Sequence, residues 1–223
     1  MDSSNSPNTM QASADNTTQV SGSSFASGSV LKERYRIERE IGKGGFGIVY
    51  EATDLHTGNQ RVAIKTLKHN LDDYDVAAKR FKREIELCQS IENIHAVKIF
   101  DDGIADNGTL FYVMEYLEGC ALDTLIEKRE KFTFRETKAI LVQVLEALAE
   151  AHDKGIIHRD MKPANIWLTE KSTQNHTRDY DVKVLDFGIA KAIDKNTGEN
   201  KFNIRRAGYG RKLSSIAIVR CVY

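Results

Sequence analysis

The 223 residues, 41% hydrophobic and 29% charged, suit one large globular domain or a small two-lobed one. Lys plus Arg equals Asp plus Glu at 32 each, so the chain lacks the electrostatic footprint of a protein that grips nucleic acid. Cys88, Cys120 and Cys221 are odd in number and widely spaced, with no CxxC pair for zinc or redox work; no apolar run approaches the roughly 20 residues that span a bilayer, and polar residues follow Met1, so a soluble cytoplasmic chain without a membrane segment is predicted.

Residues 1–30 are rich in Ser, Asn, Thr, Gly and Gln, with few apolar side chains beyond Val20 and Phe25. Burial there is too small to offset the entropy of ordering, and a disordered tail is predicted. From Val30 the composition changes. YRIEREIGKGGFGIVYEATD, the turn HTGN and QRVAIKTLK read as three strands of an antiparallel meander. Residues 73–91 switch to helical spacing, with Ala77, Phe81, Ile85 and Cys88 on one side and Lys79, Lys82, Arg83 and Glu84 interleaved. AVKIFDDGI and TLFYVMEYLEG flank DNG, a strong hairpin signal, which brings the expectation to five strands and one helix. From Leu122 to Lys154 the pattern is helical, and Ile140, Leu141, Val144, Leu145, Leu148 and Ala151 form a broad apolar stripe that needs a packing partner. Gly155 is placed to stop that helix. EKSTQNHTRDYD reads as a polar insertion between two short strands.

Four motifs carry chemistry. IGKGGFGIVY holds GxGxxG at Gly42, Gly44 and Gly47, where backbone N–H groups can approach phosphates that a Cβ would repel. Alone this is equally a glycine-rich hairpin. A Rossmann turn fits poorly, because the strand-like IVYEAT follows it and no parallel βαβ unit does. VAIK sets Lys65 in an apolar strand, and a buried ammonium needs a carboxylate, for which Glu84 is the first choice and Glu86 the second. In HRDMKPAN, Asp160 can accept a hydroxyl proton, Lys162 can neutralise a transferred phosphoryl group, and Asn165 can ligate magnesium through its carbonyl oxygen. In VLDFG, Asp186 is the second metal candidate, an oxygen donor suited to Mg²⁺ on nucleotide phosphates.

GKGGFG, VAIK, Glu84, HRDMKPAN and DFG stand in the order seen in eukaryotic-type protein kinases, and the chain resembles the bacterial members of that superfamily from Tyr35 to Lys191. The resemblance implies an α+β, two-lobed fold, with a five-stranded antiparallel N-lobe carrying one helix (residues 31–117) and an incomplete helical C-lobe (118–206). It implies ATP between the lobes, with Ile41, Val49 and Ala63 around the adenine. The loop Gly42, Lys43, Gly44, Gly45, Phe46 and Gly47 would cover the phosphates. Met114, Glu115, Tyr116 and Leu117 would form the hinge, with Glu115 and Leu117 offering backbone groups to the base. Lys65, Glu84, Asp160 and Lys162 are the implied catalytic set, and Asn165 and Asp186 the implied Mg²⁺ ligands. Lys162 in its KPxN context resembles the serine/threonine class, so a protein hydroxyl is the implied acceptor. Arg159 resembles the arginine that pairs with a phosphorylated activation segment.

Departures begin after Lys191. No proline follows Pro163 and no APE occurs, so the peptide-positioning loop is not recognisable. A domain of about 250 residues starting near Tyr35 would run well beyond Tyr223, and roughly a third of it is expected to be lacking. Residues 207–223 are expected to be atypical, with an out-of-frame end as the working explanation. The apolar stripe would then forgo about 1.5–3 kcal/mol of burial per large side chain, against a typical stability of about 5–15 kcal/mol. Three functions are consistent with these residues: a Ser/Thr protein kinase, a non-catalytic nucleotide-binding or interaction fragment of one, and a small-molecule phosphotransferase.

Overall fold

The computed structural model describes residues 24–45, 47–67, 74–128, 131–171 and 178–189. The first half forms β1 (Val30–Leu31), β2 (Tyr35–Gly44), β3 (Gly47–Asp54), β4 (Gln60–Leu67), helix α1 (Tyr74–Gln89), β5 (Ile99–Ile104) and β6 (Leu110–Glu115). These strands make one antiparallel sheet in the order β1-β2-β3-β4-β6-β5. The sheet has six strands where five were expected. The extra one, β1, holds only two residues and is folded back on Arg36 and Tyr35 by Lys32 and Glu33, both at positive φ. An element so short has no periodicity to read. Residues just before it, assigned to the tail, also pack on the sheet: Phe25 meets the Tyr50 ring edge-on and its N–H donates to the Tyr50 hydroxyl at 3.0 Å.

Helix α1 covers the range its spacing predicted, and Ala77, Phe81, Ile85 and Cys88 are its buried residues. They join a core with Leu110, Tyr112 and Met114 of the sheet. That same core continues into the second half, which comprises β7 (Cys120–Ala121), α2 (Leu122–Lys128), α3 (Phe134–Asp153), a 3₁₀ turn at Pro163–Asn165, β8 (Ile166–Lys171) and β9 (Asp179–Val184). Helix α3 starts with a capping box in which Thr133 and Glu136 satisfy each other's backbone N–H. It stops at Gly155, whose φ of 75° suits the position after the C-cap Lys154. Gln143 of α3 locks onto β9, donating to Tyr180 O at 3.0 Å and accepting from Val182 N–H at 3.1 Å.

The apolar stripe of α3 divides. Ile140, Val144, Leu148 and Ala151 are buried with Ala147, whereas Leu141 and Leu145 are exposed. Both sit one position beyond a buried residue, at the margin of the stripe. The strands β8 and β9 also reach further into the polar insertion than its composition suggested, to Lys171 and from Asp179. The expectations for residues 1–23, for the end 207–223 and for the segment after Lys191 lie outside the described residues. Among the described residues no helix is long and apolar enough to cross a membrane.

One ion pair at the end of the sheet, between the turn before β2 and the end of β3, carries a pH prediction. Arg34 grips Asp54 through two hydrogen bonds of 2.8 and 2.7 Å, and the Asp54 carboxylate is 6% exposed. The Arg34 bonds outweigh burial and bring the Asp54 carboxyl from 3.8 down to about 2. A folded value below the unfolded one stabilises the fold above pH 3.8, and this is lost as pH falls towards about 2. Asp54→Asn is therefore expected to cost about 2 kcal/mol at neutral pH and progressively less below about pH 4. Urea midpoints of the two proteins against pH measure this, and a gap that does not change with pH rejects it.

Candidate active site

Between the two halves lies a cavity of about 160 Å³. Ile41, Val49 and Ala63 from β2, β3 and β4 form its roof, and Met114 to Leu117, running out of β6, form its back. Trp167 and Leu185 make the floor, from β8 and from the turn after β9. At the inner end the lining becomes charged, with Lys65 and Asp186. The strand alternation of β4 explains the mixture, since Ala63 and Lys65 share one face while Ile64 is buried on the other. Flat apolar walls closed by a cation suit a planar base followed by phosphates.

The glycine-rich turn joins β2 to β3 at this mouth. Gly42 lines the cavity, while Lys43, Gly44 and Gly45 are exposed beyond it. Phe46 is outside the described residues. At Gly47 a side chain is sterically barred, because a Cβ would stand 1.7 Å from Thr66 O. In the back wall the Glu115 N–H donates to Lys98 O at 3.0 Å, so its carbonyl is the backbone group that could meet a base. The Glu115 carboxylate is held elsewhere, by Lys183 at 2.6 Å and by the Lys98 N–H at 2.8 Å.

Below the cavity, the 3₁₀ turn and the residues before it draw HRDMKPAN into a tight loop. Lys162 Nζ lies 2.8 Å from Asp160 Oδ2. Asn165, nearly fully buried, donates through Nδ2 to Asp160 O at 2.8 Å and to Oδ2 at 3.3 Å. His158 fixes the loop to the following strand: Nδ1 accepts from Asp160 N–H at 3.3 Å, and Nε2 lies 2.7 Å from Leu185 O. Those two bonds require the neutral Nε2–H tautomer. Burial, opposed by the Leu185 carbonyl, keeps the imidazole below its usual range, in keeping with the neutral form. Leu185 N–H in turn donates to Asn165 O at 2.9 Å, which sets Asp186 beside the loop.

The sequence matches the family described as protein kinase domain over residues 35–207. The chain belongs to the protein kinase family. It is 42% identical over 170 residues to a probable serine/threonine-protein kinase of Clostridium acetobutylicum, an alignment covering 76% of this chain and 24% of that protein. To the serine/threonine-protein kinase pkn3 of Myxococcus xanthus it is 35% identical over 182 residues, 82% of this chain and 32% of that one. The crystal structure of the Mycobacterium tuberculosis PknI kinase domain superposes with a TM-score of 0.62 at 30% identity, over 74% of this chain and 62% of that domain. The chain spans 24% and 32% of the length of these two curated relatives.

Within this kinase domain one expected pairing differs. Lys65 pairs with Asp186 and not, among the ion pairs of the described residues, with Glu84. The apolar side of α1 sets the helix rotation through Phe81, Ile85 and Cys88, and this leaves Glu84 half-buried at the edge of that contact. Sequence distance cannot say which carboxylate the fold brings to a lysine. Burial would raise the Asp186 carboxyl, but the Lys65 ammonium and hydrogen bonds from Lys65 and Tyr112 hold it below the usual carboxylate range. Next to it, Phe187 is buried with its ring 5.1 Å from that of His158, and its carbonyl accepts from the Cys88 thiol at 3.5 Å. Burial, with Glu84 and Asp186 nearby, pushes that thiol up to about 12.

Trp167, Leu185, His158 and Tyr112 are site residues that the motifs did not single out. The first two lie beside motif residues, Trp167 two positions after Asn165 and Leu185 immediately before Asp186, but only the fold shows that they face the cavity. His158 was in view as the first letter of its motif. Tyr112 carries no local signal, because it lies in an apolar strand far from every motif.

Proposed function

We propose that this chain binds Mg²⁺·ATP in the cavity and transfers the γ-phosphoryl group to a serine or threonine hydroxyl of a protein. The observation that carries the proposal is the convergence of Asp160, Lys162 and Asn165 beneath an apolar slot that ends in Lys65 and Asp186. The assigned domain, residues 31–206 divided after Leu117, rests on the slot lying at that division. The free thiols of Cys88 and Cys120 agree with a reducing cytoplasm.

In this reading the base enters between Ala63 and Trp167, and Lys65 meets the phosphates. Asn165 and Asp186 would hold the magnesium, and their all-oxygen chemistry fits a hard cation. When bound, the ion neutralises phosphate charge. Asp160 accepts the proton of the attacking hydroxyl as the new O–P bond forms and the bond to the ADP oxygen breaks. Lys162, already beside Asp160, offsets charge on the group in transit. Arg159, at a φ of 61° and lying against Gly188, is assigned to receive an activating phosphate.

The test is incubation with Mg²⁺ and ATP labelled at the γ position, in the presence of an acceptor protein rich in Ser and Thr. Label on Ser or Thr, abolished by EDTA, is the expected result. Trp167, the sole tryptophan, reports binding separately through its fluorescence. Quenching by ATP without any transfer overturns the catalytic reading in favour of a nucleotide-binding fragment, and label on small alcohols but not protein favours a small-molecule phosphotransferase.

A further inference from the structure

The Asp186 carboxylate is held at both oxygens by the upper sheet. Lys65 of β4 pairs with Oδ2, and the Tyr112 hydroxyl of β6 donates to Oδ1 at 2.6 Å. Lys65 and Tyr112 are directly opposite each other in the β4–β6 register, so both side chains leave the same face of the sheet and converge on one target. Tyr112 is 1% exposed, and burial of a phenol hydroxyl requires a partner. Asp186 is the acceptor the structure gives it. The backbone at Asp186 is also constrained, with φ at 56° and its carbonyl accepting from Gly188 N–H at 2.6 Å.

Such a clamp and a cation compete for the same negative charge, because the Lys65 ammonium repels a divalent ion and each donated bond makes the carboxylate a poorer ligand, although each oxygen keeps a lone pair. A hydrogen bond to an ionised carboxylate is among the stronger ones, and stronger still away from water. A divalent ion taking Asp186 as ligand meets a carboxylate whose charge is already shared with two donors. We infer that Tyr112 is a positioning residue, which holds Asp186 in its Lys65-paired position and thereby raises the magnesium concentration at which the nucleotide is gripped. This rests on the Mg²⁺·ATP reading given above. Tyr112 does not line the cavity, so it acts on the ion through Asp186 alone. No residue at this position was singled out by the glycine, HRD or DFG motifs, and the effect depends on a hydroxyl that phenylalanine lacks.

The experiment uses the full chain and a non-hydrolysable ATP analogue, with magnesium titrated and Trp167 fluorescence followed. Tyr112→Phe is expected to lower the half-saturating magnesium concentration by about 3- to 10-fold. Affinity for the analogue without magnesium is expected to stay within about two-fold, a split that a merely structural defect does not produce. An unchanged or higher magnesium midpoint in Tyr112→Phe overturns the inference, as does a change in affinity for the analogue without magnesium as large as the magnesium shift. Circular dichroism checks that the variant folds, and Tyr112→Leu provides a second protein without the hydroxyl for the same titration. If wild type shows no quenching at any magnesium concentration, the nucleotide reading itself falls and this inference with it; quenching with identical midpoints removes the Tyr112 role and leaves the nucleotide reading intact.

Discussion

Asp160→Asn is expected to slow phosphoryl transfer to a protein hydroxyl by about 10²- to 10⁴-fold, the range attributed to a positioned general base. The substitution keeps the shape and an acceptor oxygen for Lys162, which lies 2.8 Å away, but removes the ability to take a proton. The bond from Asn165 to the Asp160 backbone carbonyl, 2.8 Å, does not involve the side chain and remains. So does the His158 contact, which uses the Asp160 N–H. The loop should therefore keep its form, and nucleotide affinity read by Trp167 fluorescence should change by less than about two-fold. Initial rates with labelled ATP measure the first quantity. Equal rates for both proteins would remove Asp160 from the mechanism and assign any residual label to a contaminant.

The second large effect concerns stability. Gly119, at the end of the connecting segment, has φ 112°, and a Cβ there would lie 2.1 Å from Leu168 O and 3.0 Å from Leu168 C. Both atoms are backbone of β8, the strand that pairs with β7 through Cys120 and Leu168. Gly119→Ala must push β7 off β8 or strain the turn, and either costs about 2–4 kcal/mol. A fall in Tm of roughly 5–15 °C is expected for a domain of this size. The cavity should suffer too. Glu118 O accepts from Trp167 Nε1 at 2.9 Å and from Thr169 Oγ1 at 2.6 Å, so moving this segment releases the floor residue. Thermal melts followed by Trp167 emission report both changes in one measurement; a shift below about 2 °C would mean the segment relaxes at little cost.

Much of this architecture was legible beforehand. The α1 residues Ala77, Phe81, Ile85 and Cys88 were read from a 3.6-residue period, and the hairpin across DNG from its turn chemistry. Those signals are local, and local steric and hydrophobic preferences suffice to express them. The six-stranded sheet escaped by one member, because β1 is two residues long and exists only through pairing with β2. On α3, Leu141 and Leu145 belonged to the periodic stripe yet lie outside the core. A stripe broader than the surface it meets does not say which edge is covered.

The functional groups divide in the same way. The amino-acid sequence by itself determined which chemistry is present: a glycine turn open to phosphate, a lysine in an apolar strand, and Asp160, Lys162, Asn165 and Asp186 at fixed spacings. Residue type and short separations carry that information without a fold. Only the tertiary structure decided who partners whom. It gave Lys65 to Asp186 instead of Glu84, set Tyr112 on the second oxygen, and laid Trp167 under the slot. Each of these meetings joins elements far apart in the chain, and their order depends on helix rotation and strand register, which the packing of the whole core fixes.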